Sequence, residues 1–435
     1  MGLITTRPRG TEDVLPQDSA AWQFLVDTAR RHCSRFGYHE IRTPTFEHTE
    51  LYHRGVGETT DIVEKEMYTF KDRGGRDITL RPEGTASVVR AFLEHSLGQA
   101  GLPVRVFYVE PMFRYERPQG GRLREHTQFG VECIGAGGPL ADAEVIELGY
   151  EFLTGLGLQN IEVQLNSIGC PVCRPGYRAA LVDYLRGHVD DLCEDCQARL
   201  DRNPLRVLDC KREGCRAVTA KAPRATDYLC DDCRSHFEEV QQLLVALGIP
   251  FTLNPRLVRG LDYYTRTVFE MVHGGLGAQN AVCSGGRYDG LAAELGGPPT
   301  PGIGFGLGLE RLVLTLRSEG IPLPAPPVPD VMVAVAAEGP GAPELQQKAM
   351  ALARDLRRAG VAADVDVMGR SLKAQLRYAN KLGVRYVAVL GEEEAAAGEV
   401  ALRDMTLGTQ RRLPVTALID MLKGETRASG LSSGR

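Results

Sequence analysis

Two short stretches concentrate the groups that a small charged ligand would need. The first runs Arg259-Gly-Leu-Asp-Tyr-Tyr-Thr-Arg-Thr-Val-Phe-Glu270 and the second Ser284-Gly-Gly-Arg-Tyr-Asp-Gly-Leu291. Arginine offers a fixed fork of donors to carboxylate or phosphate, a tyrosine hydroxyl gives or accepts a hydrogen bond, and glycine lets the main chain come close to a ligand. Together these residue types compose a pocket for a small zwitterion. Either stretch alone reads equally well as a Gly-rich turn between strands with solvated charges; the two in succession favour the pocket.

Three further segments carry chemistry. Tyr108-Val-Glu-Pro-Met-Phe-Arg-Tyr-Glu-Arg-Pro-Gln-Gly-Gly-Arg-Leu-Arg-Glu-His-Thr-Gln-Phe-Gly-Val-Glu132 has an apolar strand pattern at each end. Between them lies a basic loop with Pro118, Gly120 and Gly121, suited to closing over a polyanion. Alternation along the second strand puts Gln128, Gly130 and Glu132 on one face, so an amide and a carboxylate point into the same space. Gly302-Ile-Gly-Phe-Gly-Leu-Gly-Leu-Glu-Arg311 reads as a strand with glycine at every second position, running into a helix. A dinucleotide site is rejected there, because a strand would have to precede the glycine loop and an acid follow about 20 residues later. Leu80-Arg-Pro-Glu-Gly-Thr85 sets a carboxylate and a hydroxyl on a turn after a strand, placed to hold an ammonium group.

The scaffold that must position these groups is long enough for two or three domains, at roughly 100 to 200 residues each. With 43% hydrophobic and 25% charged residues among 435, the chain reads as an ordinary soluble globular protein. A net charge of -5 argues against wholesale nonspecific nucleic-acid binding and leaves local basic surfaces open. Met1 to Pro16 has no apolar run, and no later stretch reaches about 18 apolar residues, so a cytoplasmic location is expected. Five prolines in Ile321-Pro-Leu-Pro-Ala-Pro-Pro-Val-Pro329 predict a stiff connector. Beyond it, strands are expected at 331–336, 361–367 and 384–390 and helices at 344–358 and 371–382, an alternation that implies a parallel or mixed α/β sheet. The last residues, 428–435, are small and polar and are expected to fray.

Eight of the eleven cysteines fall between Cys170 and Cys233, among charged, helix-favouring residues that interrupt the strand-rich sequence on either side. Cys170-x-x-Cys173, Cys193-x-x-Cys196, Cys210-x4-Cys215 and Cys230-x-x-Cys233 have spacings that suit tetrahedral zinc. A structural zinc ion and ordinary thiols in a helical insertion both account for the pattern, and the sequence commits to no metal.

Read in order, the chemical segments resemble the signatures of the histidyl-tRNA synthetases. The stretches opening at Arg259 and Ser284 are similar to the two histidine-specific signatures, Tyr108 to Glu132 to class II motif 2, and Gly302 to Arg311 to motif 3. Phe36-Gly-Tyr-His-Glu-Ile-Arg-Thr-Pro44 resembles motif 1, and Arg7-Pro-Arg-Gly-Thr-Glu-Asp-Val-Leu-Pro16 the amino-terminal signature. The resemblance implies an α/β and α+β multidomain fold. A class II antiparallel sheet flanked by helices would occupy 1–325, interrupted at 170–240 by the helical Cys-rich insertion. A linker at 321–329, an α/β anticodon-binding domain at 330–425 and a disordered tail at 426–435 would follow. It implies a ligase that joins L-histidine to ATP as histidyl-adenylate, with Mg2+, and transfers histidine to the 3' end of tRNA(His), as a homodimer built on motif 1. The family's insertion is not generally a metal site, and its reaction needs no zinc.

Joining a carboxylate to the α-phosphate of ATP brings two anions together, so fixed positive charge must stand where negative charge builds up. The resemblance assigns Arg114 and Arg259 to the reacting phosphate, and Arg311 with Arg122 to the outer phosphates. It assigns Glu132 and Tyr264 to the imidazole, Glu83 and Thr85 to the ammonium group, and Gln128, Tyr263 and Tyr288 to the rest of the histidine pocket. Gln119, in the motif 2 loop, is expected at the tRNA. Independently of the family, Arg370, Lys373, Arg377 and Lys381 follow at helical steps with no acid between them, opposite Leu372, Leu376, Ala379 and Leu382. They predict a tRNA-facing basic surface, against the plainer reading of a solvated face. A non-catalytic paralogue, the regulatory subunit of ATP phosphoribosyltransferase, is the competing reading. Such paralogues lack the carboxy-terminal domain and degrade the histidine signatures, whereas residues 330–425 are present here and Arg259 to Glu270 is intact.

Overall fold

The computed structural model describes residues 4–57, 60, 62–118, 121–274, 281–336 and 342–432. The chain divides into two compact units, Met1–Ala325 and Pro326–Arg435, and the division falls inside the proline run, which carries neither helix nor strand. Proline has no amide to give to a ladder or a helix, so the run separates what lies on either side.

Among the described residues the first unit has eleven strands: β1 (His39–Glu40), β2 (Phe46–His48), β3 (Tyr68–Lys71), β4 (Asp77–Leu80), β5 (Val104–Phe113), β6 (Glu125–Ile134), β7 (Ile161–Ser167), β8 (Phe251–Leu253), β9 (Thr265–His273), β10 (Ala281–Arg287) and β11 (Gly302–Gly308). Eight form one sheet in the order β1-β5-β6-β11-β10-β9-β7-β8, and β2-β4-β3 make a small second sheet. Every inner pairing of the large sheet is antiparallel. The two outermost, β1 with β5 and β7 with β8, are parallel, because each edge strand is reached by a crossover rather than a hairpin.

Alternate residues of this sheet face opposite ways, and the two faces differ in kind. One face is hydrocarbon: Phe129, Val131 and Cys133 of β6 pack with Phe269 and Phe305 beneath the helices Pro16–Arg35, Pro139–Gly155, Asp231–Ala246 and Leu309–Ser318. Phe129 meets Phe152 and Phe305 edge-on, at 4.9 and 5.6 Å between centroids. The other face carries Tyr108, Tyr263, Tyr264 and Tyr288, and packs with Tyr177, Leu181, Cys196 and Val207 of the segment between β7 and β8. That segment is helical, with Arg174–Arg186, Glu194–Arg199 and Glu213–Thr219 preceding the long helix Asp231–Ala246.

In the second unit β12 (Val331–Val335), β13 (Ala363–Val365), β14 (Tyr386–Leu390), β15 (Glu399–Asp404) and β16 (Gln410–Pro414) form a mixed sheet in the order β13-β12-β14-β15-β16. The first three strands are parallel and the last two join antiparallel. Helix Ala342–Arg358 buries Leu345, Ala349, Leu352 and Leu356 on one face of the sheet, and helix Leu372–Leu382 sets Ala379, Leu372, Leu376 and Leu382 against the other. Helix Val415–Ser432 follows the last strand. One expectation changes here. Arg370 is not on the basic helix face: it precedes Ser371 at the N-cap, pairs with Asp366 at 2.6 Å and lies 4.5 Å over the Tyr378 ring. The acid that relieves its charge, Asp366, stands four residues upstream, before the helix begins.

Candidate active site

A cavity of about 460 Å³ opens on the polar face of the large sheet. Glu83, Thr85, Arg114, Arg122, Gln128, Arg259, Tyr263, Tyr264, Tyr288 and Arg311 all line it. Residues separated by more than 200 positions in sequence thus meet because β6, β11, β10 and β9 lie side by side. Gln119 lies outside the described residues, and Lys373, Arg377 and Lys381 are exposed on the second unit.

One end of the cavity is acidic. The turn after β4 leads into helix Thr85–Glu94, and the buried Glu83 carboxylate accepts the amides of Thr85 and Ala86, both at 2.8 Å. Burial raises its pKa, opposed by those two amides and by Arg114. The Tyr263 hydroxyl also donates to Glu83, at 3.3 Å. Glu132 lies under the cavity floor, fully buried, and takes hydroxyl donors from Tyr288 at 2.6 Å, Thr85 at 2.7 Å and Tyr108 at 3.3 Å. Gln128, on the same face of β6, donates to the Tyr108 hydroxyl at 3.1 Å. Burial holds Tyr108, Tyr263 and Tyr288 well above the usual phenol range, so they remain neutral donors.

The alternating glycines of β11 are explained by this floor. A Cβ on Gly304 would stand 2.0 Å from Glu132 Oε2, and one on Gly306 2.3 Å from Gln128 Nε2. Gly304 is the register partner of Glu132, and Gly306 pairs with Gly130, two residues along β6 from Gln128, so the notches in one strand receive the side chains of its neighbour. The glycines make room for the Gln128 and Glu132 side chains of β6.

The other end is cationic. Arg114 donates from Nε to the Pro82 carbonyl at 2.7 Å, Arg122 pairs with Glu116 at 3.3 Å, and Arg311 donates to the Ala281 carbonyl at 2.9 Å. All three bear on His126, whose pKa is pushed down to about 3 by burial and then by these guanidiniums. The imidazole therefore stays neutral among them. Arg259 pairs with Glu270 and lies 5.7 Å over the Tyr264 ring, while its buried Nε–H has no acceptor among the described residues. Such convergence of arginines is a site for an anion with several oxygens.

Several lining residues carried no assignment from sequence: His126, Glu116, Glu270, and Arg206 with Asp209 from the Cys-rich insertion. The first three sit inside the quoted segments, and alternation along β6 and β9 points to His126 and Glu270 while Glu116 lies in the loop between β5 and β6; the last two show no local signal. Arg287, in contrast, belongs to the second signature but lies on the helical face, where its Nε donates to Asp142 at 2.7 Å and its Nη2 stands 2.6 Å from the same carboxylate as an ion pair.

Glu132 has a measurable signature. Burial, with Glu83 adding to it against three hydroxyl donors, lifts its pKa from 4.5 to about 8. Between those values the folded state keeps a proton that the unfolded chain has lost, so this group's contribution to stability falls as pH rises from 4.5 to about 8. Glu132→Gln removes the linkage. Urea denaturation across that window is expected to show the wild type losing stability relative to Glu132→Gln as pH rises; a difference independent of pH would place the carboxylate in an ordinary ionised state.

The profile of the family described as Histidyl-tRNA synthetase matches residues 10–312, and that of the Anticodon binding domain matches residues 330–425. The chain is 54% identical over 418 residues to the histidine–tRNA ligase of Moorella thermoacetica, an alignment covering 96% of this chain and 98% of that one. It is 53% identical over 425 residues to the histidine–tRNA ligase of Desulforudis audaxviator, covering 98% and 100%. Among solved structures, apo histidyl-tRNA synthetase of S. aureus superposes with a TM-score of 0.81 at 37% identity, over 97% of this chain and 100% of that one. A Bacillus halodurans protein described as an ATP phosphoribosyltransferase regulatory subunit/histidyl-tRNA synthetase shares the fold, with a TM-score of 0.64 at 24% identity over 90% and 99%.

Proposed function

The chain belongs to the histidyl-tRNA synthetase family, and from that premise we propose that its cavity activates L-histidine with ATP and passes the histidyl group to tRNA(His). The observation that carries the reading is the joining of an acidic end, Glu83 in the wall with Glu132 buried beneath the floor, to a cationic end, Arg114, Arg122, Arg259 and Arg311, across one cavity. A regulatory role alone gives no reason for that pairing, and the relatives at more than half identity are ligases.

In this proposal Glu83 and Thr85 hold the ammonium group, Glu132 and Tyr264 the imidazole, and Gln128, Tyr263 and Tyr288 enclose the side chain. A site built for two polar contacts rejects amino acids that would leave its own buried groups unpaired. The histidine carboxylate attacks the α-phosphorus between Arg114 and Arg259, and the bond to pyrophosphate breaks with its electron pair leaving on the β-phosphate oxygen. Arg122 and Arg311 balance the outer phosphates. The terminal ribose hydroxyl of tRNA then attacks the adenylate carbonyl, and AMP leaves. Fixed guanidiniums supply the charge compensation, so no side chain has to lose a proton for activation. Glu116 and Glu270 are the cavity carboxylates that would hold a magnesium ion, which would supply further neutralisation of the phosphate charge.

Histidine-dependent exchange of pyrophosphate into ATP tests the activation half directly. Exchange that needs histidine and is not supported by other amino acids is expected; none under any amino acid would remove the catalytic reading. We further place the protein in the cytoplasm as a homodimer through Phe36 to Pro44, a reading supported by β1 as an exposed edge of the sheet and by the lack, among the described residues, of any helix long and apolar enough to cross a membrane.

Lys373, Arg377 and Lys381 form a basic row on an exposed face with no acidic partner among the described residues, and like charges at this spacing cost an isolated helix roughly 0.2 to 0.5 kcal/mol per pair. The anticodon stem is the polyanion proposed to relieve it. Changing all three to Ala is expected to raise the Michaelis constant for tRNA and to flatten its salt dependence by up to about one phosphate contact per residue, while pyrophosphate exchange is untouched. Charging with wild-type constants at both low and high salt would show the row to be a solvated face.

A further inference from the structure

The eight cysteines of the insertion have no part in the proposed reaction, yet the fold gathers them into two groups of four. Cys170, Cys173, Cys230 and Cys233 form one and Cys193, Cys196, Cys210 and Cys215 the other, and within each group all four sulfurs lie within 4.8 Å of one another. Cys170 Sγ stands 3.7 Å from Cys173 Sγ and 3.9 Å from Cys230 Sγ; Cys173 to Cys233 is 3.8 Å, and Cys193 to Cys210 is 3.9 Å. A disulfide would bring two sulfurs to about 2.05 Å, and all eight are free thiols. Four sulfurs on the corners of a tetrahedron, each about 2.3 Å from its centre, are about 3.8 Å apart, because the edge of a tetrahedron is about 1.63 times its radius. The cysteines therefore already stand at the separations of a mononuclear tetrathiolate.

A second observation agrees. The amide of Cys170 points at Cys173 Sγ at 3.1 Å, and the amide of Cys193 at Cys215 Sγ at 3.2 Å. Backbone amides aimed at sulfur stabilise thiolate charge and orient the ligand. The helices that carry the second group are six and seven residues long, below the length at which a helix holds itself together, so an internal cross-link has structural work there.

We propose that the insertion binds two zinc ions, one in each group, each held by four cysteines. The groups are nested in the chain. The outer one ties the exit of β7 to the start of helix Asp231–Ala246, closing the insertion at its base. The inner one closes the loop containing Asn203-Pro-Leu-Arg-Val-Leu-Asp209, and Asp209, adjacent to the ligand Cys210, lines the cavity together with Arg206. The inner zinc would thus fix the part of the insertion that forms the cavity wall. Sulfur-only tetrahedral sites suit zinc or mononuclear iron, and the tight grouping leaves no room for a sulfide-bridged cluster. The metal assignment does not depend on the proposed reaction.

The full chain, purified under reducing conditions without chelator, is expected to carry about two equivalents of zinc by plasma emission, with a sulfur-only shell at about 2.3 Å by X-ray absorption at the zinc edge. The double change Cys193→Ser, Cys196→Ser should lower the content to about one equivalent. Less than about a tenth of an equivalent in the wild type, about one equivalent that survives this double change, nitrogen or oxygen in the shell, or iron in place of zinc would each overturn the proposal. Thiol titration of unreduced protein in denaturant with chelator provides a check that needs no variant: eleven reactive thiols are expected, whereas three, those of Cys33, Cys133 and Cys283, would mean disulfides instead.

Discussion

Arg259→Ala is expected to form adenylate about a hundred to a thousand times more slowly than the wild type, with only a modest change in histidine affinity. Two observations lead to this size of effect. The guanidinium lines the cavity and pairs with Glu270 through one nitrogen, while its buried Nε–H has no acceptor among the described residues. Its removal also leaves the Glu270 carboxylate in the cavity without its cation, adding repulsion where the phosphate charge grows. Loss of a charge-stabilising donor costs about 2.7 to 4 kcal/mol when the donor acts on the transition state. Rapid-quench measurement of adenylate and calorimetric titration of histidine separate the two effects. A rate above about a third of wild type, or a loss that appears wholly as weaker histidine binding, would remove Arg259 from the chemistry.

Arg287→Ala is expected to destabilise the first unit by about 3 to 5 kcal/mol, because it strands a buried carboxylate. Arg287 is fully buried, and besides Asp142 it reaches Asp289 at 3.0 Å and the carbonyls of Ala136 and Gly138 at 2.9 and 3.0 Å. Asp142 is equally buried and is left with His236 at 2.8 Å. The double change Arg287→Met, Asp142→Leu should recover much of the loss, since no unpaired charge then remains inside. Urea denaturation measures both. A single variant within about 1 kcal/mol of wild type would show that water reaches the site and solvates the aspartate.

The contrast between these two arginines shows what the sequence could and could not convey. Both stand in stretches whose composition signalled a pocket, and composition does not distinguish one face of a strand from the other. Alternation does, and it read Gln128 and Glu132 onto one face, as the strand geometry has them. It failed for the β11 glycines, because their function depends on register with β6, and the pairing of distant strands has no local sign. Arg206 and Asp209 were illegible for the same reason: they reach the cavity only through the folding back of the insertion. The proline run, the parallel start of the second sheet and the helix Leu372–Leu382 were legible because each rests on neighbours in sequence. Arg370 marks the limit of that method, since helical spacing continues on paper past the Ser371 cap where the real helix stops.

A sheet with one oily face and one chemical face makes each central strand two messages written in alternate letters. Phe129, Val131 and Cys133 spell one, Gln128 and Glu132 the other, and Arg287 and Tyr288 are consecutive letters of different messages. A natural variant in such a strand therefore changes its kind of harm from one position to the next: on the oily face it falls chiefly on the amount of folded protein, on the chemical face chiefly on what each molecule accomplishes.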